Sequence, residues 1–193
     1  MSDTRVNSTR QMLGPEDWEA EALLLLAERG LSGVAIEPLA RRLGVTKGSF
    51  YWHFADRGAL LKAALRRWEL QDRRRMLAFL QEQLNPGERL RQFFLRSSRQ
   101  HLTHRVYAAL LAAPDAAEAS SLLSRVTNRR LRFLARAFRD YGLGATEARH
   151  RARLTYCSYV GFLHLQQVDV APEQDSAEFD AYIGHVIDAL IPV

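Results

Sequence analysis

Apolar residues recur with helical spacing along most of this chain, and that periodicity limits its possible folds more than any other feature. Trp18, Ala22 and Leu25 lie three or four positions apart, and Gly30 follows where a helix should end. No segment shows the sustained apolar–polar alternation that is typical of a half-buried strand. The sequence therefore predicts an all-α protein.

Turn-forming residues divide the predicted helices into two groups. A first helix precedes two short ones, and Asp56 is placed to cap a long fourth helix that runs to about Leu84. Asn85-Pro86-Gly87 then ends this helix, because proline and glycine interrupt regular structure. We expect an N-terminal three-helix domain over residues 14–75, joined by the fourth helix to a C-terminal helical bundle over residues 76–193.

The bundle is predicted to contain five further helices, separated by glycine- or proline-containing loops. Their expected spans are Glu88 to Leu102 or beyond, a segment to Ala112 that Pro114 stops, Ala116–Tyr141, Glu147–Val168 and Ala177–Ile191.

The segment Ile36–Phe54 has the pattern of a helix-turn-helix. Two short helices, 36–43 and 47–54, are joined by a tight turn around Gly44, and Thr46 is a good residue to cap the second. At about 100° per residue, Phe50 and Phe54 share the face that must point to the core. The opposite face centres on Gly48 and Trp52, where a small residue beside a large aromatic favours contact with another surface. The second helix of such a motif can enter the DNA major groove.

Basic charge is concentrated around this motif. The whole chain carries a net charge of +5, whereas the window Arg41–Arg75 alone holds ten Lys and Arg residues against three Asp and Glu residues. After Leu165 there are six acidic residues and no Lys or Arg. A basic N-terminal third indicates a polyanionic partner, although a solvated charged surface would show the same pattern.

Several short runs in and after this segment resemble the DNA-binding domain of the tetracycline-repressor (TetR-like) family. The runs are Ala40, Gly44-Val45-Thr46, Gly48-Ser49-Phe50-Tyr51, His53-Phe54, Asp56-Arg57 and Leu60-Leu61. The resemblance covers roughly residues 14–75. It implies that the first three helices and the start of the fourth bind operator DNA, and that the C-terminal helices bind a small effector and dimerise.

The resemblance also implies DNA-contacting positions. The residues expected to contact base edges or the adjacent backbone are Thr46, Lys47, Gly48 and Ser49. Those expected to contact phosphates or thymine methyl groups are Tyr51, Trp52 and His53. Arg57 would contact a further phosphate. Such a division fits DNA readout in general, where phosphate contacts position the protein and few side chains specify bases. The chain departs from the family at Ala35, where a capping threonine is usual. Structural roles compete at Gly48, as a small residue in a crowded turn, and at Tyr51 and His53, as core residues.

The middle helices are rich in aromatic residues, and we expect them to surround the effector. The expected ligand-binding residues are Trp68, Phe93, Phe94, His101, Tyr107 and Phe133. Ligand pockets are mostly apolar with a few polar groups, so the sequence predicts an uncharged or weakly polar, largely apolar molecule. Plain core packing is the alternative for each of these side chains.

The last two long helices carry apolar residues at helical spacing beside small ones, which favours a close helix–helix interface. The expected dimer-interface residues are Tyr156, Tyr159, Gly161, Leu163, Tyr182 and Val186. Two such helices from each partner would form a four-helix bundle. The alternative is that these residues pack inside one chain.

Catalytic and metal-binding patterns are weak. His101 and His104 lack further ligands at zinc spacing, and Gly142-Leu143-Gly144 lacks the strand and third glycine of a dinucleotide fingerprint. The single Cys157, the absence of a secretory leader at the N-terminus and the short apolar runs predict a cytoplasmic protein without a membrane span. We therefore expect no metal site, no cofactor and no enzymatic activity.

Together these features predict a homodimeric DNA-binding transcriptional regulator, most simply a repressor that a small hydrophobic effector releases from double-stranded operator DNA. Two alternatives stay open at this point. One is an effector-binding helical dimer that does not bind DNA, and the other is an all-helical enzyme.

Overall fold

The computed structural model describes residues 13–113 and 117–191, and every regular element in these ranges is an α-helix. The nine helices described are α1 Pro15–Gly33, α2 Ile36–Arg42, α3 Lys47–Phe50, α4 Arg57–Gln81, α5 Pro86–Ser98, α6 His101–Leu111, α7 Ala117–Asp140, α8 Ala145–Gln167 and α9 Ala177–Leu190. The all-α prediction is confirmed. The N-terminal segment in which we predicted no secretory leader, the stop at Pro114 and the predicted helix start at Ala116 lie outside the described residues.

Side-chain caps fix three helix starts. The Asp56 carboxylate accepts the amide N–H of Ala59 at 2.8 Å, as the sequence predicted for the start of α4. Asn85 and Ser176 make the same kind of bond at the starts of α5 and α9. At α3 the Thr46 backbone takes the cap position, but its side chain makes no capping hydrogen bond. The predicted cap position of Thr46 is therefore confirmed, although its hydroxyl does not make the cap.

Two predicted helix spans need correction. The helix expected over 47–54 is α-helical only to Phe50, because the chain must turn and extend before Asp56, whose φ is −157°. The amides of His53 and Phe54 still bond the Phe50 carbonyl, at 2.9 and 3.0 Å. The helix expected from Glu88 through Leu102 is broken at Gln100, whose ψ of 58° is not helical.

The N-terminal helices share one continuous core with the bundle. Trp18, Leu39 and Phe50 are completely buried, and the rings of Trp18 and Phe50 meet edge to face with centroids 5.4 Å apart. Helix α1 packs against α4 and also against α6. The two parts of the chain are therefore joined by α6 as well as by the long α4 that the sequence predicted.

The bundle is built mainly on the pairing of α7 with α8, with α4, α5 and α6 beside it. Val106, Leu110 and Phe138 are completely buried there. Helix α9 packs against α5. None of the helices in the described ranges is both long and apolar enough to cross a membrane.

Candidate DNA interface and effector cavity

The helix-turn-helix presents a large apolar surface to solvent. Gly44 makes the turn with φ +68°, in the left-handed region that favours glycine. Phe50 is fully buried, whereas Trp52 is 87% exposed and Tyr51 is 56% exposed. The predicted inner and outer faces are confirmed at these positions. We call the exposed surface of residues 46–53 the recognition face.

Gly48 leaves open space at the centre of the recognition face. A Cβ atom built there would meet only Thr46 Oγ1, at 3.8 Å. Crowding within the chain therefore does not explain the glycine, which removes the structural alternative for this residue. Thr46 is exposed beside it, and Ser49 and His53 are half-buried.

Lys47 has a partner that sequence reasoning missed. Its ammonium group lies 3.0 Å from a carboxylate oxygen of Glu37 on α2, and this hydrogen bond raises the pKa of Lys47 and lowers that of Glu37. Both side chains are more than half exposed, so the pair adds little stability. A DNA base edge would have to compete with Glu37 for Lys47.

Arg57 has a structural role in addition to the phosphate contact that the resemblance implies. Its Nε and Nη2 donate to the carbonyl oxygens of Val34 and Leu31, at the C-terminal end of α1. Carbonyl groups at the C-terminal end of a helix attract such cations. The guanidinium thereby fixes the start of α4 against α1, and its Nη1 makes no hydrogen bond to the part of the chain that the structure describes.

A cavity with about 700 Å³ of empty space, partly open to solvent, lies between α4, α5, α6, α7 and α8. We call it the first cavity. Three of the predicted ligand-binding residues line it, namely Phe93, Phe94 and Phe133. Trp68 and Tyr107 are buried behind its wall, with rings 6.5 Å apart, and His101 does not line it.

Two charged residues of the polar wall of the first cavity, Arg130 and Asp72, were missed by sequence reasoning. Arg130 on α7 donates to the Asp72 carboxylate on α4 at 2.7 Å, and the rings of Tyr107 and Tyr159 lie 5.0 and 5.6 Å from its guanidinium. Asp72 is only 6% exposed. Its position was detectable in the sequence, because Trp68, Asp72 and Met76 follow each other at four-residue spacing on the core face of α4.

His104 is held as a neutral ring in the same wall. Its Nε2 lies 2.7 Å from the Ser97 carbonyl oxygen, which can only accept a hydrogen bond, so Nε2 carries the proton. Its Nδ1 therefore accepts from the Tyr159 hydroxyl at 3.1 Å. Burial lowers the pKa of His104 to about 4, and burial raises that of Tyr159 to about 12. Both groups are uncharged at neutral pH.

A second cavity, with about 620 Å³ of empty space, lies between α5, α8 and α9. It shares one wall with the first cavity, formed by Phe94, Ser97, His104, Thr155 and Tyr159. Leu163, Tyr182 and Val186, which were predicted at the dimer interface, line this second cavity, and Tyr156 and Tyr159 line the first. Five of the six predicted interface residues thus line the two cavities, and three of them, Tyr159, Tyr182 and Val186, are only half-buried there.

Gly161 is the exception, since it lies on the exposed side of α8. It belongs to a stripe of exposed residues at helical spacing, which we call the α8 outer face. Its members are Leu154, Cys157, Gly161, Leu165 and Val168. Leu154 and Val168 are 54% and 51% exposed, so this face offers apolar surface that the chain itself does not cover.

No group of three or more His, Cys, Asp or Glu residues is arranged to hold a metal ion within residues 13–113 and 117–191.

Comparison with known proteins shows that the N-terminal region is similar to one protein family. Residues 20–64 match the model of the bacterial regulatory proteins of the tetR family. Over 51 residues the chain is 37% identical to the HTH-type transcriptional regulator AcrR of Shigella flexneri, a match covering 26% of this chain and 22% of that protein. Over 42 residues it is 50% identical to the class A tetracycline repressor protein from transposon 1721 of Escherichia coli, covering 22% of this chain and 19% of that protein. The match spans about a fifth of each relative's length.

The likeness of fold extends over most of the chain. The reduced form of NemR from E. coli superposes with a TM-score of 0.71 at 21% identity, covering 93% of this chain and 97% of that one. Fold and exposed motif together define an all-α helix-turn-helix protein. Residues 20–64 match the tetR-family model, and the fold of most of the chain is similar to that of the solved NemR structure.

Proposed function

We propose that this protein is a homodimeric transcriptional regulator that represses by binding operator DNA and is released by a small, largely apolar effector. The observation that carries the proposal is the recognition face. Trp52 is 87% exposed two positions after the fully buried Phe50, within the segment that matches the tetR-family model. An outward tryptophan beside the open Gly48 is costly in water and useful against a nucleic acid surface.

The predicted DNA contacts fit this role. Thr46, Lys47 and Gly48 lie at the N-terminal end of α3, the part of a recognition helix that meets base edges. Tyr51 and Trp52 extend beyond them, where phosphates or thymine methyl groups are in reach. Arg57 keeps one free donor for a phosphate.

Dimerisation would place two recognition faces on a near-palindromic site. The α8 outer face supports this part of the proposal, because it is apolar, exposed and contains Gly161, where a Cβ atom would meet nothing within 4 Å. Two α8 helices can approach closely at such a glycine. The proposed partner surface is therefore centred on the exposed face of α8, and of the six residues that the sequence indicated Gly161 lies on it.

The first cavity is the proposed effector site. Its walls include α4, which begins right after the recognition segment, and α6, which packs against α1. A ligand that binds better when these helices shift would change the population of the DNA-binding state. No catalytic step is needed for this function.

Selection of bound fragments from random DNA tests the proposal. The chain should enrich a near-palindromic sequence, and Trp52→Ala should lose the enrichment. Leu77→Ala, which removes an exposed apolar side chain from α4, is the matched control and should keep it. Ligand binding in the first cavity without any enriched sequence would instead support a helical dimer that does not bind DNA.

A further inference from the structure

The first cavity has two chemically different ends. At one end the rings of Phe79, Phe93 and Phe133 pack together, with centroids 5.1 and 4.8 Å from that of Phe93. At the other end the lining residues are polar or charged. They are Asp72, Arg75, Gln100, Thr103, His104 and Arg130.

The charges at the polar end do not balance. The cavity is lined by two guanidinium groups, Arg75 and Arg130, and one carboxylate, Asp72. His104, Tyr156 and Tyr159 are neutral near pH 7, because their pKa values are shifted by burial toward the uncharged forms. The lining therefore carries one uncompensated positive charge.

Both carboxylate oxygens of Asp72 are paired with arginines other than Arg75. Its two oxygens accept from Arg129 at 3.2 Å and from Arg130 at 2.7 Å. Arg129 also lies 3.0 Å from Glu69, which in turn lies 3.2 Å from Arg125. Three arginines in this region thus share two carboxylates. Arg75 is a fourth arginine nearby, and it has no acidic partner in the described part of the chain.

Arg75 also has free hydrogen-bond donors. Its Nη1 donates to the Gln100 side-chain oxygen at 3.0 Å and to the Thr103 hydroxyl at 2.9 Å, both neutral acceptors. Its Nε and Nη2 make no hydrogen bond to any described residue. Arg75 is exposed and lines the cavity, so it stands at the opening with two aligned donors. That geometry suits a carboxylate, which an arginine binds through two parallel bonds.

We propose that the ligand of the first cavity is an amphipathic organic monocarboxylate, with its anionic group on Arg75 and its hydrophobic body among Phe79, Phe93 and Phe133. This rests on the proposed function, because it names the chemical class of the effector. It replaces the uncharged molecule that the aromatic content of the sequence favoured. The difference arises from Arg75, which the fold brings to the aromatic cluster.

Calorimetric titration with two matched pairs of compounds tests the proposal without DNA. The pairs are decanoate with decan-1-ol and 1-naphthaleneacetate with 1-naphthaleneacetamide, each differing in charge and little in shape. At least one acid should bind about tenfold or more tightly than its neutral counterpart, as a charge-assisted hydrogen bond supplies.

Three variants assign the preference to Arg75. Arg75→Gln should abolish the preference for the acid, and Arg75→Lys should retain part of it. Arg74→Gln removes the neighbouring exposed arginine, which does not line the cavity, and should leave the preference unchanged.

The proposal is overturned if none of the four compounds binds, if the neutral members bind as tightly as the acids, or if Arg75→Gln keeps the preference. Because the titration contains no DNA, its result is independent of operator binding. A protein that binds the acids through Arg75 and never binds DNA would retain this inference and lose the proposed function. A protein that binds an operator but none of the acids would retain the proposed function and lose this inference.

Discussion

The Arg130 guanidinium lies 2.7 Å from the Asp72 carboxylate, and this buried ion pair joins α7 to α4 beside the first cavity. Helix α4 begins at Arg57, three residues after the helix-turn-helix segment ends at Phe54. The cavity wall and the recognition face are thus connected through one helix.

Removing one partner of this pair should destabilise the protein strongly. Asp72→Ala leaves a buried guanidinium without compensation and is expected to lower the free energy of unfolding by about 3–5 kcal/mol. The double variant Asp72→Leu, Arg130→Met should recover most of the loss, because it buries no charge. Urea unfolding at pH 7 measures both effects.

The control is the exposed ion pair of Arg91 with Asp188. Asp188→Ala should cost less than about 1 kcal/mol, since solvent screens that pair. If Asp72→Ala costs no more than Asp188→Ala, the buried pair does not have the structural role assigned to it.

His104 should make stability depend on pH in mildly acidic solution. Burial lowers its pKa in the folded state to about 4, below the ordinary value of 6.5. The unfolded chain therefore binds the proton more readily, so this contribution is complete above about pH 6.5 and is lost as pH falls toward 4, by about 3 kcal/mol at most.

His104→Gln should flatten this part of the pH profile, since glutamine is uncharged and can both donate and accept. His164→Gln changes an exposed histidine and should keep the parent profile. The role of His104 is refuted if both variants lose stability with falling pH as the parent does. The measurement is the free energy of unfolding of the parent and both variants at intervals between pH 7 and pH 4.5.

Gly48→Ala should change protein stability and operator affinity in opposite directions. The new Cβ would meet only Thr46 Oγ1 at 3.8 Å, so the helical position should gain up to about 1 kcal/mol of stability from the better helix former. The affinity for the selected operator should nevertheless fall, because the added methyl group blocks close approach of the DNA.

Gly144→Ala is the matched control, because Gly144 is equally open and precedes α8. It should leave operator affinity unchanged in a fluorescence anisotropy titration. Unchanged affinity in Gly48→Ala as well would mean that DNA does not approach this part of the recognition face.

Gly161→Arg should produce monomers. The side chain has open space in the single chain, so the fold should persist while two α8 outer faces no longer fit together. Sedimentation velocity should show half the parent mass, and operator binding should weaken. Ser124→Arg, at an exposed position of α7, should remain dimeric. A dimeric and fully active Gly161→Arg variant would place the interface elsewhere.

Local sequence signals predicted the parts of the fold that depend on local physics. Asp56 marked the start of α4 through its capping side chain, and Gly44 marked the turn through its backbone freedom. Helical spacing predicted a buried Phe50 and an exposed Trp52, and both are found, although α3 ends at Phe50. The break at Gln100 was not predicted, since no proline or glycine accompanies it.

The residues that line the cavities could not be predicted from local patterns, because their positions depend on tertiary packing. Helical spacing showed that Tyr156 and Leu163 lie on an apolar side of α8, but spacing does not say whether that side meets its own chain or a partner. Arg130 and Asp72 are 58 positions apart, so no local pattern links them. The ligand-binding role proposed for Arg75 was not predicted from the sequence, because it depends on the fold, which places Arg75 beside Gln100 and Thr103.

Operator binding as a function of salt tests the central claim most directly. A dimer whose recognition faces neutralise about 6–10 phosphates should lose about 10³–10⁵ in affinity between 50 and 200 mM salt, because each phosphate contact releases condensed counterions. Fluorescence anisotropy on the fragment enriched from random DNA measures the slope. The account predicts a steep linear fall of log affinity with log salt, and an almost flat line would contradict DNA binding as the function.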